Sequence, residues 1–310
     1  MIRFNREFED SCREKFESDS KIGLLASIAP DGYPHVALIS SIGVKSKTSL
    51  MWGQFSQGLS KTYLKDNPNT GFLVVSPDQY WWTGKARHSG IAVKGEDFDY
   101  FNNKPLFRYN SYCGFGAVHY GDLVDVSAGE KLPLLKVALG ALKSGGLKKQ
   151  VLSGKYRPAP LSSAPAAADG PEAGEPGGPE DLIRQKMPPY GIALGQALTG
   201  LKFAAYVDTD GYPRIIPALQ GKPADGNTLI FSPLPYGELL RQIPSGRKAA
   251  VYMANLDLES LLLQGRWFNL EQRGSFKGSV FEIDKVYNSM LPIGGYIYPP
   301  KTLPNVYGKV

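Results

Sequence analysis

The tetrapeptide Asp-Gly-Tyr-Pro occurs twice in this chain, at Asp31–Pro34 and again at Asp210–Pro213, an offset of 179 residues. The match extends from both copies without a gap. GLLASIAPDGYPHVALIS lies over KFAAYVDTDGYPRIIPAL, SLMWG at 49–53 over TLIFS at 228–232, Gly58 over Gly237, and TGFLVV at 70–75 over AAVYMA at 249–254. After a two-residue slip Gly84-Lys85 lies over Gly265-Arg266, and HYGDLVDV at 119–126 resembles FKGSVFEI at 276–283. One shared tetrapeptide is weak evidence, but a colinear series of matched segments reads as a tandem duplication. The 310 residues are enough for two cores of about 100–150 residues each.

Each copy follows one plan. An apolar run leads into Asp-Gly, a pair that tolerates the positive φ of a tight hairpin. A second run, YPHVALIS or YPRIIPAL, returns as the partner strand. A third strand, SLMWGQ or TLIFSP, is followed by a helix of about ten residues, and three more strands complete the copy. Six short strands with one helix between the third and fourth predict a small antiparallel barrel, which removes exposed sheet edges by closure.

These signals divide the chain into a first barrel domain over 1–154, a Pro/Ala/Gly-rich linker over 155–181 and a second barrel domain with a C-terminal tail over 182–310. The linker is nearly free of large apolar residues and cannot offset its ordering entropy, so flexibility is expected. LPLLKVALGALKSGGLKKQVL, 132–152, has helical periodicity with lysines on one side. Two readings stand for it: packing on its own barrel, which its short, interrupted length favours, and lying on a membrane surface. The tail YIYPPKTLPNVYGKV is too rich in proline for regular structure and is expected to lie across a surface.

Composition excludes several functions. With 35 Lys+Arg against 29 Asp+Glu the net charge is +6, spread along the chain and not gathered in a run. That suits an anionic ligand better than a nucleic acid. The start is too charged for a signal peptide and no stretch of 18 apolar residues occurs, so no membrane span and a cytoplasmic location are expected. Cys12 and Cys113 cannot form a framework of bridges, and His35, His88 and His119 lack metal-ligand spacing, so no metal is expected.

Chemistry enters at GLSKTYLKDNP, Gly58–Pro68. A helix entrance presents unpaired N–H groups and a partial positive charge, Ser60 and Lys61 add a hydroxyl and a full charge, and Gly58 allows close approach. The bland alternative is an N-cap and a solvated lysine. The succession DGYPHV, SLMWGQ, GLSKTYLKDNPNTGFLVV and WTGKA resembles the pyridoxamine 5'-phosphate oxidase-like flavoproteins, over most of 21–126 and more weakly over 201–284. The resemblance implies two tandem antiparallel split β-barrels of the FMN-binding type, a mainly β fold. It implies FMN as cofactor, with Ser60 and Lys61 on its phosphate and Ser40, Ser41 and Gln54 near the ring or ribityl chain. It further implies flavin-dependent oxidoreductase chemistry on a small-molecule or nicotinamide substrate, with two barrels imitating the family's homodimer in one chain; further homodimerisation stays open. The arginine-rich C-terminal segment of the true oxidases is missing from GGYIYPPKTLPNVYGKV.

In the second copy Leu239 and Leu240 replace Ser60 and Lys61, and nearby Arg241, Arg247 and Lys248 do not restore the spacing. One phosphate site per chain is therefore expected. Lys85, Arg87 and His88 form a small basic cluster that fits a phosphate, a flavin edge or an acidic substrate as well as a solvated strand end. Trp52, Trp81 and Trp82 either stack on a flavin or fill the core, the commoner use. Tyr109, Tyr112 and His119 are candidate proton donors or packing residues, and Cys113 has no assignable base partner. No catalytic residue is identifiable. The competing function is a non-catalytic FMN- or haem-binding barrel, the latter needing His88 or His119 as ligand.

Overall fold

The structure is a computed structural model that describes residues 2–55, 58–105, 114–153, 185–255, 257, 259–272, 274–289 and 295–298. Its elements follow the duplication. The first copy runs β1 (Phe4–Asn5), α1 (Asp10–Phe16), β2 (Ile22–Ile28), β3 (Pro34–Leu38), β4 (Gly43–Ser46), β5 (Ser49–Gln54), α2 (Leu59–Asp66), β6 (Asn69–Val75), β7 (Tyr80–Ala92), α3 (Glu96–Asn103), β8 (Ala117–Ser127) and β9 (Glu130–Lys131). A helix α4 (Leu134–Leu152) follows. The second copy runs α5 (Pro189–Gln196), β10 (Leu201–Val207), β11 (Pro213–Pro217), β12 (Lys222–Pro223), β13 (Thr228–Phe231), α6 (Gly237–Arg241), β14 (Arg247–Ala254), β15 (Ser260–Gln272), β16 (Ser275–Asn288) and β17 (Gly295–Tyr298).

The duplicated Asp-Gly builds the same loop twice, though not by the route the dipeptide suggests. Only the glycines, Gly32 and Gly211, take positive φ, each at 82°. The preceding aspartates act through their side chains: Asp31 Oδ1 accepts from Tyr33 N–H at 3.3 Å and Asp210 Oδ1 from Tyr212 N–H at 3.2 Å. Gly32 N–H reaches Ala29 O and Gly211 N–H reaches Asp208 O, so each is a turn closed by a left-handed glycine. The loop fixes the register of β2 on β3, with Ala26 opposite Val36, and of β10 on β11, with Ala205 opposite Ile215.

Both sheets are antiparallel with one strand order, β3-β2-β6-β7-β8-β5-β4 in the first and β11-β10-β14-β15-β16-β13-β12 in the second. In the first sheet β2 and β4 lie five steps apart, about 24 Å if the sheet were flat. Yet Leu25 on β2 and Val44 on β4 share one apolar cluster with Trp52, Phe72, Trp82 and Val126. The sheet must therefore curl around that cluster, and each copy is a split β-barrel. Helix α1 adds Phe16 to the same core, flanked by Phe8 and Cys12 at four-residue spacing. The tryptophans behave as packing groups: Trp81 and Trp82 are buried, and Trp82 lies inside the cluster.

The copies differ between their last two long strands. β15 returns into β16 almost at once, whereas α3 and its flanks separate β7 from β8. That insertion explains why the offset between copies falls from 181 at Gly84/Gly265 to 157 at His119/Phe276. Phe101 of α3, Phe115 and Val118 form a separate small core against Met51 and Tyr120.

By density of contacts the chain forms two compact units. The first runs to Leu134 and takes in Phe203–Pro217 and Lys248–Tyr252; the second comprises Leu135–Lys202, Ala218–Arg247 and the chain from Met253 on. Helix α4, grouped with the first barrel on its sequence, makes its described contacts with second-copy residues. Ser144 Oγ donates to Gln220 O and accepts from Ser232 N–H, both at 2.9 Å. Gly140 makes this approach possible, since a Cβ there would stand 2.0 Å from Leu234 O. Among the described residues no helix is long and apolar enough to cross a membrane. Tyr109, Tyr112, Cys113 and the 155–181 linker lie outside the described residues, as does most of the C-terminal tail.

Candidate functional site

Helix α2 forms because Ser60, Tyr63 and Leu64, spaced as one helical face, are buried, and it stops at Asn67 because Pro68 disfavours helical backbone in the residue before it. Among the described residues its entrance carries no side-chain cap. Gly58 is the N-cap with extended backbone, its carbonyl accepts from Lys61 N–H at 3.2 Å, and a Cβ at Gly58 would meet nothing within 4 Å. The N-cap alternative for Ser60 is thus not realised: Ser60 lies one residue inside the helix and is buried. Lys61 forms no ion pair with a carboxylate among the described residues. The N–H groups of Leu59 and Ser60, a hydroxyl and an uncompensated ammonium thus share one helix start without a side-chain cap among the described residues, a combination suited to a phosphate.

Beside it runs a chain of polar rings. β5 and β8 pair with Trp52 opposite His119 and Gln54 opposite Ala117. His119 stacks on Trp52 with ring centroids 5.6 Å apart and planes 9° from parallel. Its Nε2 lies 2.8 Å from Gln54 Oε1 and its Nδ1 lies 3.0 Å from His88 Nε2. A carbonyl oxygen only accepts, so His119 carries its proton on Nε2 and its Nδ1 accepts from His88 Nε2–H. The bulge in β7 between His88 and Gly90 brings the second histidine into reach. Burial, then the charges of His88 and Lys61, push His119 down to about 4. His88 is also lowered by burial, against a backbone hydrogen bond with Gly90. Both rings are therefore neutral near pH 7, and Lys61 lies close enough for its charge to act on His119.

The remaining expected residues are dispersed around this centre. Ser41 Oγ donates to Gly53 O at 3.0 Å and accepts from Gly53 N–H at 3.1 Å, tying it to the strand that carries Gln54. Ser40 and Ser41 line a shallow cleft with Lys21, Met51, Tyr100 and Lys104. Arg87 is exposed and approaches Asn69 Oδ1 at 3.4 Å. Lys85 is engaged elsewhere. Only 3% exposed, its Nζ sits 2.7 Å from both Asp208 and Asp210. Beside it Arg214 pairs with Asp125 at 2.6 Å. Those partners are legible in the aligned copies, for Asp208 stands where the first copy has Ala29, and Arg214 where it has His35. In the second copy Leu239 and Leu240 at the start of α6 are buried.

No protein-family model matches the chain, and no curated protein matches it in sequence. Solved structures do. HupZ from Group A Streptococcus is 11% identical, with a TM-score of 0.33 over 40% of this chain and 98% of its own. An FMN-binding protein from Syntrophomonas wolfei is 16% identical, with a TM-score of 0.33 over 39% of this chain and 88% of its own. A pyridoxamine 5'-phosphate oxidase-like protein from Lactobacillus delbrueckii is 14% identical, with a TM-score of 0.32 over 40% of this chain and 96% of its own. Each likeness spans about two fifths of the present chain. The fold assignment rests on the strand order and the shared core described above. This chain is a tandem split barrel.

Proposed function

We propose that the protein binds FMN through its first barrel and acts as a flavin-dependent oxidoreductase. The observation that carries this reading is the uncapped start of α2, where buried Ser60 and unpaired Lys61 stand beside the Gln54–His119–His88 chain. The flavin phosphate would be held by the first-turn N–H groups, the Ser60 hydroxyl and Lys61. When bound, FMN supplies hydride and electron transfer. The chain's own contribution is to hold that anion, to present the Gln54 amide as a fixed dipole, and to keep two neutral imidazoles in one hydrogen-bonded line. Lys85 and its two aspartates stand outside this assignment, as does Ser40. The haem alternative is less well served, because both ring nitrogens of His119 are already engaged.

Titration of FMN, followed by flavin absorbance and fluorescence, tests the assignment without requiring a substrate. Ser60→Ala/Lys61→Ala should weaken FMN binding by about 2–4 kcal/mol, roughly 30- to 1000-fold. Arg241→Ala, on the corresponding helix of the second copy, should leave it unchanged. Equal affinity in the double variant and the wild type would remove FMN from this site. Turnover of NADH or NADPH by the loaded protein then separates an enzyme from a binding module.

A further inference from the structure

The inward face of α4 accounts for Gly140, Ala141 and Ser144, but its outward face is unexplained. Leu135 is 76% exposed, Leu139 48% and Leu142 75%. Their spacing of four and then three residues makes one continuous apolar ridge along the helix. Lys136 and Lys143 lie on one flank, about 40–120° round the helix from the leucines, and Lys149 continues the exposed face toward the C-terminal end. No acidic residue occurs anywhere in Leu134–Leu152. Among the described residues none of these lysines has a carboxylate partner.

We propose that this ridge docks on an anionic membrane surface, with α4 lying in the plane of the interface. Two observations on the helix select that occupant. An apolar ridge bordered by lysines matches the layering of a lipid interface, where leucines enter the acyl boundary while lysine stems reach back to the headgroups. A second copy of the chain fits poorly, because pairing the ridges would bring two sets of uncompensated lysines together. With three leucines and a few charges the contact is reversible, and it depends on the attraction of the lysines to anionic headgroups. The inward face stays packed, so packing and docking are compatible uses of one helix.

Vesicle flotation with the full chain tests the proposal. Wild-type protein should float with phosphatidylcholine vesicles carrying about 30 mol % phosphatidylglycerol, and not with phosphatidylcholine alone. Raising salt from about 0.1 to about 0.5 M should release it. Leu135→Ser/Leu142→Ser should lower the partition about tenfold or more, and Lys136→Gln/Lys143→Gln several-fold. These side chains are exposed, so unchanged thermal melting will show that the variants fold. Failure of the wild type to float, or flotation indifferent to the leucines, would overturn the proposal. A solution dimer that the leucine variant dissociates, with no vesicle binding, would assign the ridge to a second copy instead.

Discussion

Lys85 shows how a residue with the right chemistry for a ligand is committed to the fold. Its ammonium is buried between two carboxylates that are only partly covered. Burial by itself would raise the Asp208 carboxyl. The hydrogen bonds from Lys85 and the Thr209 N–H, with the charges of Lys85 and Arg214, outweigh it and hold the group below the usual carboxylate range. Replacing Lys85 by Met leaves Asp208 and Asp210 facing each other without their cation, and stability at neutral pH should fall by about 1–3 kcal/mol. A depressed folded pKa contributes stability above the unfolded pKa of about 4, and that contribution fades as pH falls through the folded value. The gap between wild type and Lys85→Met in urea denaturation should therefore be widest near neutrality and narrow below about pH 4. A gap of the same size at pH 7 and pH 3 would refute this account.

At the scale of elements, α2 and α6 are the same helix of two copies put to different uses. Leucines bury the start of α6, while Ser60 and Lys61 make the start of α2 polar; among the described residues neither start has a side-chain cap. Helix α4 packs closest at one glycine. Gly140→Ala would gain about 1 kcal/mol of intrinsic helix propensity, yet its Cβ would lie 2.0 Å from the Leu234 carbonyl and 2.9 Å from Gln220 Cβ. The nearest obstacle is backbone and cannot rotate away, so the helix must lift. A net loss of about 1–3 kcal/mol is expected in thermal or urea unfolding. Unchanged or higher stability would mean that the helix is not held at this point.

Across the whole molecule, duplication has kept the architecture and let the surface chemistry diverge. Two sheets share one strand order, although their last strands are joined differently. At the start of this helix the first copy has Ser60 and Lys61 where the second has Leu239 and Leu240, so calorimetric titration should give about one FMN per chain, not two. A stoichiometry of two would require a site in the second barrel that does not use the corresponding helix entrance.

The sequence by itself determined the duplication, the two hairpin loops, the mainly β character and the divergence between Ser60-Lys61 and Leu239-Leu240. Each of these is local: a turn glycine, a run of apolar residues or a substitution at a matched position can be seen without knowing what folds against it. It also placed His88 and His119 among the candidates, but could not join them. Their contact needs the register of β5 on β8 and a bulge in β7, which depend on pairing among strands distant in the chain. Tertiary structure paired Lys85 with Asp208 and Asp210, 123 and 125 positions along the chain, a contact the aligned copies display only once the strands are known to meet. It also decided which face of α4 is buried: the lysines mark one side of the helix, but the approach of Gly140 to Leu234, distant in the chain, selects the face that packs.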